Sequence, residues 1–258
     1  MPKGYSLSAV VLSRNCEKKI EQCLASLRGF ADEVIVIDGE STDNTKEIVT
    51  RFGAKLYSHK FLGSFAKERN FGTDNANSEW VLQLDSDEVV SEDFKKKCDC
   101  ILPKTEYSAF KFLRKNAFLG HVFKYGGWYH WSQHLFKKGF ARYEGRVHEK
   151  MIVNGKVGEL NADILHFPFD TIGEFIERQN RYTDLQARDI LDQEKNLNIK
   201  EIKYNLTWKP LKLFKKMYFN KKGYKEGMPG LVFSILFSWV HFLKWAKVWG
   251  IYSKSDSK

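Results

Sequence analysis

The stretch WVLQLDSDE at residues 80–88 decides the fold and contains the first candidate functional residues. Its first half, residues 80–84, is a short and almost uninterrupted apolar run, which is typical of a β-strand buried on both faces. Its second half places Asp85 and Asp87 directly after that strand. In α/β sheets, ligands bind beyond the carboxyl ends of the parallel strands. The sequence therefore predicts an α/β fold with a ligand site at the turn that begins at Asp85.

Upstream of this turn, strand-like and helix-like segments alternate. We expect strands at residues 8–12, 33–38 and 55–59, and helices at residues 17–27, 41–52 and 64–77. Ser41 or Thr42 is the predicted N-cap of the second helix, and Ser91 that of a further helix towards residue 101. This alternation predicts parallel strands joined by right-handed crossovers. Asp38 ends the second strand, so it is expected at the same edge of the sheet as Asp85.

Beyond Pro103 the composition changes. Short aromatic-rich segments predict strands at residues 109–114, 133–137 and 140–143, and a long charged helix is expected at residues 172–192. Residues 195–258 contain 14 Lys, no Arg and three acidic residues, a net charge of +11, whereas the whole chain carries +10. We therefore predict a domain at 1–194, whose character changes between a first part at 1–102 and a second part at 103–170. A basic, helical, aromatic-rich tail follows at 195–258.

Several function classes are disfavoured by what the sequence lacks. No G-x-G-x-x-G follows the first strand and no G-x-x-x-x-G-K-[ST] occurs, so a dinucleotide or P-loop site is not expected. The four cysteines lack zinc-ligand spacing, and the N-terminus has no signal-peptide pattern. Both observations favour a protein of the reducing cytosol. Nucleic acid is not an expected partner, because no recognised nucleic-acid-binding module is present.

The segment Asp85-Ser86-Asp87 suggests a cation site on chemical grounds. Two neighbouring carboxylates repel each other unless a cation or a basic group lies between them. Carboxylate oxygens with open water positions suit Mg²⁺ or Mn²⁺, and such an ion can neutralise a leaving diphosphate. The alternative is a solvated acidic turn that only caps the following helix.

Four segments together resemble family 2 glycosyltransferases of the GT-A fold. They are residues 11–17, 36–45, 67–72 and 84–88, and they cover about the first 100 residues. The resemblance implies a Rossmann-like, mostly parallel central sheet and a nucleoside diphosphate sugar as donor, with a UDP-sugar favoured. It implies that 1–194 is a catalytic domain, with a nucleotide-binding half at 1–102 and an acceptor and metal half at 103–170. It implies that Asp87 is the principal metal ligand, that Asp85 reaches the ribose or the metal, and that His166 completes the metal site. The residues that would line the donor site are Ser13, Asn15, Asp38, Ser41, Arg69, Asp85 and Ser86.

The acceptor side of the site is expected in the second half of the chain. A sugar transfer needs a base that takes the proton of the acceptor hydroxyl, and a carboxylate is the usual choice. The resemblance places Glu149 in this role, with Glu144 as the second candidate and His148 beside the base. Residues 126–136 resemble an acceptor-side glycine loop. The expected acceptor residues there are Gly126, Gly127, Trp128 and Trp131, although His130, Trp131 and His134 depart from the family pattern.

The basic tail contains an apolar run at residues 231–243, which is short for a membrane-spanning helix. Tryptophans beside lysines instead favour an amphipathic helix that lies on an anionic membrane surface. The alternative is a helical subdomain that packs these aromatic side chains on the catalytic domain. The tail resembles those of bacterial glycosyltransferases of lipopolysaccharide core synthesis. We therefore expect a cytoplasmic protein, peripheral on the inner face of the cytoplasmic membrane, with a lipid-linked glycan as acceptor.

These expectations together predict an inverting, metal-dependent transfer of a hexose, with UDP-glucose as the first donor to consider. Two alternatives stay open at this point. One is a nucleotidyltransferase on a similar sheet, although the usual glycine-rich phosphate loop is missing. The other is a non-catalytic, membrane-surface module that only binds a nucleotide sugar.

Overall fold

The computed structural model describes residues 4–145, 149–193 and 197–255. The chain forms two compact units. The sheet unit comprises Met1–Lys115 and His130–His166, and the helical unit comprises Asn116–Tyr129 and Phe167–Lys258. Residues 116–129, and those from Phe167 onward, thus group with the C-terminal helices, whereas the sequence predicted a boundary after residue 194.

The sheet unit is built on strands of both directions. Within the described residues, eleven strands occur: β1 Leu7–Ser13, β2 Glu33–Asp38, β3 Lys55–Ser58, β4 Trp80–Asp85, β5 Glu88–Val90, β6 Ala109–Phe118, β7 His121–Val122, β8 Tyr129–Lys137, β9 Ala141–Glu144, β10 Lys150–Val153 and β11 Val157–Phe169. The larger sheet has the order β3-β2-β1-β4-β8-β6-β11-β5, and β9 and β10 form a separate ribbon. Strands β1 to β4 pair in parallel, whereas β4 pairs antiparallel with β8. The acidic turn therefore follows the strand at which the sheet changes direction.

The helices of the sheet unit cover the parallel strands. They are α1 Glu17–Leu27, α2 Thr45–Arg51, α3 Phe65–Asp74 and α4 Glu92–Ile101. Successive residues of β1 point to opposite faces of the sheet, so Ala9 and Val11 join one apolar cluster and Val10 joins another. Burial on both faces explains why β1 and β4 read as continuous apolar runs.

The predicted elements of the first hundred residues are confirmed, with one correction. Helix α2 begins at Thr45 after Asn44, so the predicted N-caps Ser41 and Thr42 are wrong. The physical reason is that the Ser41 hydroxyl donates a hydrogen bond to Asp38 instead. Strand β11, which has 13 residues, was not predicted, because only part of it reads as apolar.

The helical unit contains α5 Ile172–Gln193, α6 Ile199–Leu206, α7 Trp208–Lys215 and α8 Met228–Ser255, with a π-helical turn at Lys216–Asn220 and a 3₁₀ turn at Gly223–Glu226. Helix α8 packs against α5, α6 and α7. Aromatic side chains form one core cluster, which includes Phe118, Phe123, Phe175 and Phe233. Within the described residues, Met228–Ser253 is the one helical segment that is long and apolar enough to cross a membrane, by length and composition alone. This segment is longer than the apolar run at residues 231–243 that the sequence indicated.

Candidate active site

Two turns at the carboxyl ends of β1 and β2 hold each other in place. The backbone N–H of Asn15 donates to the Ser41 hydroxyl at 2.8 Å, and the N–H of Thr42 donates to the Asn15 side-chain oxygen at 2.8 Å. Thr45 and Asp43 accept further hydrogen bonds from the backbone at residues 16 and 17. These residues therefore satisfy backbone donors that neither strand can satisfy.

The Asp38 carboxylate lies at the centre of these turns and is fully buried. It accepts hydrogen bonds from the hydroxyls of Ser13 at 3.1 Å, Ser58 at 3.1 Å and Ser41, and from the Ser41 N–H at 2.9 Å. Both carboxylate oxygens are thus used within the protein. The structure gives Asp38 a structural role, and the predicted contact of Ser13, Asp38 and Ser41 with a nucleotide stays a prediction.

Three residues of α3, within the segment 67–72, have distinct structural roles. The backbone of Gly72 lies against β1, and a Cβ atom there would stand 2.3 Å from Val10 Cγ1. The Asn70 side chain donates to the Tyr143 carbonyl at 2.8 Å and accepts from the Tyr143 N–H at 2.9 Å. Arg69 points into the cluster of charges at the end of β4. Close packing at Gly72 and the clamp at Asn70 therefore fix where the guanidinium lies.

Arg69 connects the acidic turn with the candidate base. It is 5% exposed, so it is not an exposed helical charge. Its Nη2 donates to Asp85 Oδ1 at 2.7 Å, and its Nε lies 3.4 Å from Glu149 Oε1. Among the described residues, its buried Nη1 has no hydrogen-bond partner. An orphan guanidinium N–H in a buried cluster suits an anionic ligand, because an unsatisfied buried donor is costly.

A second arginine, Arg114 of β6, was not predicted. Its Nε lies 2.7 Å from Glu88 Oε1, and its Nη2 lies 3.4 Å from Asp85 Oδ2. The Asp85 carboxylate therefore lies between two guanidinium groups. The Glu88 side chain also accepts from the Asp85 backbone N–H at 2.8 Å, which fixes the turn. Two guanidinium groups thus provide the positive charge beside Asp85 that the sequence predicted from either a cation or a basic group.

The arginines and the burial of this cluster shift its pKa values in different directions. Burial raises the pKa of Asp85, but Arg69 and Arg114 outweigh it and hold the pKa well below its ordinary value. Burial raises the pKa of Glu88 to about 7, since Arg114 opposes it only in part and Asp85 adds to it. Burial, with Arg69 as the next cause, lowers the pKa of His134 to about 3. Asp85 is therefore ionised and His134 neutral at physiological pH.

Asp87 and His166 face each other on adjacent elements. His166 of β11 pairs with Glu88 of β5 in the sheet, and its Nε2 lies 3.3 Å from Asp87 Oδ1. Burial lowers the pKa of His166, which favours the neutral imidazole that binds metals, although Asp87 opposes this shift. Among the described residues, no group of three or more His, Cys, Asp or Glu side chains is assembled for a metal ion. The structure thus brings Asp87 and His166 into contact, and metal binding by Asp85, Asp87 and His166 stays a prediction.

This pair still fits a divalent cation whose coordination a substrate completes. Mg²⁺ and related ions keep several waters and are often held by one or two protein carboxylates together with substrate phosphates. A carboxylate and an imidazole belong to that donor set. Ser86, between the two aspartates, is half-buried.

The acceptor-side candidates are divided between the two units. In the sheet unit, the His134 ring nitrogen Nδ1 and the Tyr143 hydroxyl lie 2.6 Å apart. Trp131 is exposed, and the Lys111 ammonium lies 5.4 Å from the centre of its ring. Glu144 is also exposed. His148 lies outside the described residues.

In the helical unit, Trp128 stacks on Phe233 with ring centres 4.1 Å apart, so this indole belongs to a core cluster. The Gly126 N–H donates to the Lys221 carbonyl at 2.8 Å. The positive φ angles of Gly126 and Gly127, 81° and 76°, explain why glycine stands at both positions. Packing and turn formation thus account for this loop, and its contact with an acceptor stays a prediction.

Comparisons of the sequence and the structure identify several similar proteins. The profile described as Glycosyl transferase family 2 matches residues 8–145, more than half of the chain. An uncharacterised glycosyltransferase of Rickettsia conorii is 27% identical over 259 residues, which cover 94% of this chain and 89% of the relative. The lipopolysaccharide core biosynthesis glycosyltransferase LpsC of Rhizobium meliloti is 24% identical over 252 residues, which cover 94% and 92%. The crystal structure of S. aureus TarS superposes with a TM-score of 0.49 at 16% identity over 86% of this chain, which spans only 46% of that structure.

Proposed function

The chain belongs to glycosyl transferase family 2, and from that premise we propose that it is an inverting, metal-dependent hexosyltransferase. The donor is a nucleoside diphosphate sugar, and UDP-glucose is the first to be tested. The acceptor is a hydroxyl group of a lipid-linked saccharide. Similarity to LpsC, whose name describes lipopolysaccharide core biosynthesis, supports this acceptor class.

The observation that carries the proposal is the position of Arg69. One buried guanidinium contacts Asp85 of the acidic turn and Glu149, the candidate base. Glu149 is followed in the chain by β10, whereas Asp85 ends β4, so the contact joins two segments that are remote in sequence. A donor bound at the turn and an acceptor beside Glu149 would thus meet at this guanidinium. In-line displacement places the attacking hydroxyl and the leaving diphosphate on opposite sides of the donor's anomeric carbon, and Arg69 contacts both the turn and the candidate base.

The residues then divide the reaction between them. Glu149 accepts the proton of the attacking hydroxyl, which is the ordinary role of a positioned carboxylate. Arg69, through its free Nη1, and Arg114 provide positive charge where the leaving diphosphate gains negative charge. Asp87 and His166 would hold the Mg²⁺ or Mn²⁺ ion, which supplies Lewis-acid stabilisation of that diphosphate. Because Glu149 acts as a base and forms no bond to the sugar, we expect one displacement with inversion.

Both alternative functions lose support. The family match is to glycosyl transferases, which disfavours a nucleotidyltransferase. Asp85, Asp87 and Glu149 are all present in the sequence, which disfavours a module that only binds a nucleotide sugar.

The experiment that tests the proposal is a donor screen followed by product analysis. UDP-, GDP- and ADP-sugars are incubated with the purified protein and Mn²⁺ or Mg²⁺, and release of the nucleoside diphosphate is measured with and without extracted core lipid. We expect release from a UDP-sugar that stops when the metal is chelated, and a product of inverted anomeric configuration. Release of pyrophosphate in a parallel incubation with nucleoside triphosphates and sugar 1-phosphates, or a product that retains the donor's configuration, would overturn the proposal.

The identity of the base is tested with a matched pair of variants. Glu149→Gln should lower transfer by about 10²–10⁴-fold, because a general base contributes that much. Glu144→Gln removes an exposed carboxylate of the neighbouring strand β9 and should leave transfer nearly unchanged. If the two variants exchanged these results, Glu144 would be the base.

A further inference from the structure

We propose that the helical unit is a membrane-docking module that lies in the headgroup region of an anionic bilayer without crossing it. The docking surface, called the interfacial face below, consists of exposed side chains on α7, its π-helical turn and α8. Its members are Trp208, Leu211, Lys212, Lys215, Lys216, Met228, Ile235, Phe242 and Trp249.

The apolar part of this face follows the periodicity of helix α8. Met228, Ile235, Phe242 and Trp249 recur every seven residues, which is two helical turns, so they share one side of the helix. They are 67%, 51%, 42% and 49% exposed. Only 28% of the most hydrophobic stretch of α8 is buried within the protein, whereas the core helix of a soluble protein is mostly buried. An exposed apolar stripe of this length indicates an interaction surface.

The basic part of the face lies on α7 and its π-helical turn. Trp208 and Leu211 are 64% and 62% exposed, and the lysines at positions 212, 215 and 216 are exposed beside them. The segment 195–258 carries 14 Lys against three acidic residues. Exposed indole and aliphatic groups bordered by lysines match the headgroup region of an anionic bilayer in both polarity and charge. A second protein copy would not supply the same charge complement, since it carries the same positive surface.

The neighbours of α8 decide between lying on the membrane and spanning it. Lys247 lies near the end of the apolar segment, and its ammonium donates to Asn180 and Thr183 and pairs with Asp184 at 2.8 Å. All three partners belong to α5, which carries eight charged side chains and packs along α8. A bilayer core would have to accept these charges together with α8, at a high cost. The geometry therefore assigns α8 to the interface.

The docking module also holds the loop for which acceptor contacts are predicted. Glu226 accepts hydrogen bonds from the backbone N–H groups of Lys124 and Tyr125 at 2.7 and 2.6 Å, and its carboxylate lies 2.6 Å from His121 Nε2. This loop is continuous with Gly126 and belongs to the same compact unit. The inference thus deepens the proposed function and rests on it: a unit docked on lipid carries the loop that meets a lipid-linked acceptor.

The experiment measures binding of the full chain, purified without detergent, to vesicles. We expect cosedimentation with vesicles of phosphatidylcholine mixed with phosphatidylglycerol, weak binding to phosphatidylcholine alone, and release of the bound protein at alkaline pH or high salt. The variant with Lys212→Gln, Lys215→Gln and Lys216→Gln should bind the anionic vesicles more weakly by on the order of 100-fold, because each lysine near an anionic surface contributes about fivefold.

The apolar contribution is tested with matched double variants. Trp208→Ser with Leu211→Ser should weaken binding to anionic vesicles at least tenfold. Phe140→Ser with Ile152→Ser removes two exposed apolar side chains of the sheet unit, which are 44% and 53% exposed, and should have no effect. Circular dichroism and thermal unfolding show whether each variant remains folded.

Three results would overturn the inference. These are equal binding of both double variants, a lipid-bound form that resists alkaline extraction and therefore spans the bilayer, and formation of dimers in solution without lipid binding. Metal-dependent donor hydrolysis is measured on the same samples without vesicles. If hydrolysis persists while lipid binding is absent, the docking inference fails and the proposed function stands. If hydrolysis is absent while lipid binding occurs, the proposed function fails and the membrane-docking surface stands.

Discussion

Replacing Arg69 by lysine separates the charge of this residue from its shape. The guanidinium contacts Asp85 and Glu149 at once, at 2.7 and 3.4 Å, and it is nearly fully buried. A lysine keeps the positive charge but has a single nitrogen, so it can retain only one of the two contacts in good geometry. A hydrogen bond to a charged group contributes about 1.5–3 kcal/mol, so we expect Arg69→Lys to lower the free energy of unfolding by about 2 kcal/mol.

The same substitution should also lower the rate of sugar transfer, and by more than the loss of folding stability accounts for. The free Nη1 of Arg69 is the nitrogen we assign to the leaving diphosphate, and a lysine cannot replace it while it pairs with Asp85. Loss of one preorganised donor of this kind lowers kcat by about 10²–10³-fold. Urea denaturation followed by circular dichroism measures the stability, and release of the nucleoside diphosphate measures the transfer.

Arg142→Lys is the matched control. Arg142 also makes a two-pronged contact, with Asp74 at 3.0 and 3.3 Å, but both partners are more than half exposed. An exposed pair contributes at most about 1 kcal/mol, so this variant should be nearly as stable and as active as the wild type. If Arg69→Lys behaved like Arg142→Lys in both assays, Arg69 would not connect the two halves of the site.

Three further outcomes can be checked by urea denaturation. Gly72→Ala should lower the free energy of unfolding by about 1–3 kcal/mol, because its Cβ would clash with Val10, whereas Gly250→Ala, in a helix and with open space around it, should be neutral or stabilising. Burial alone raises the pKa of Glu33, but hydrogen bonds from Lys55, Ser8 and Asn77 outweigh it and lower the pKa to about 2. The stabilisation by this carboxylate should therefore be complete above pH 4.5 and disappear as the pH falls from 4.5 through 2, and Glu33→Gln should remove that dependence. Glu226→Ala should destabilise by about 1–3 kcal/mol, since it leaves two backbone N–H groups without their acceptor, whereas Glu226→Gln should keep most of that stability.

Local patterns in the sequence were sufficient for the parallel half of the sheet. Strands β1, β2 and β4 are buried on both faces, so each reads as an apolar run that needs no knowledge of the rest of the fold. The N-caps Ser64 and Ser91 bind the backbone N–H three residues on, as expected for helix starts. The N-cap of α2 was missed because Ser41 has a partner outside its own helix.

Functional residues whose partners come from the strand order could not be predicted. Arg114 is one of three basic residues within β6, and no local signal separates it from Lys111 and Lys115. It meets Asp85 only because β6 lies two strands from β4 in the sheet. The length of α8 was underestimated for a related reason. The apolar run was predicted to end at residue 243, whereas the charge of Lys247 is paired with α5 and the helix continues to Ser255.

Calorimetric titration of UDP-glucose in the presence and absence of Mn²⁺ tests the central claim most directly, because it follows donor binding at the Asp85-Ser86-Asp87 turn without an acceptor. We predict that the wild type binds the donor tightly only with Mn²⁺, that Asp87→Asn loses this metal-dependent gain, and that Glu149→Gln keeps it, since Glu149 serves the acceptor. An Asp87→Asn variant that binds the donor as tightly as the wild type in the presence of Mn²⁺, and weakly in its absence, would contradict the account.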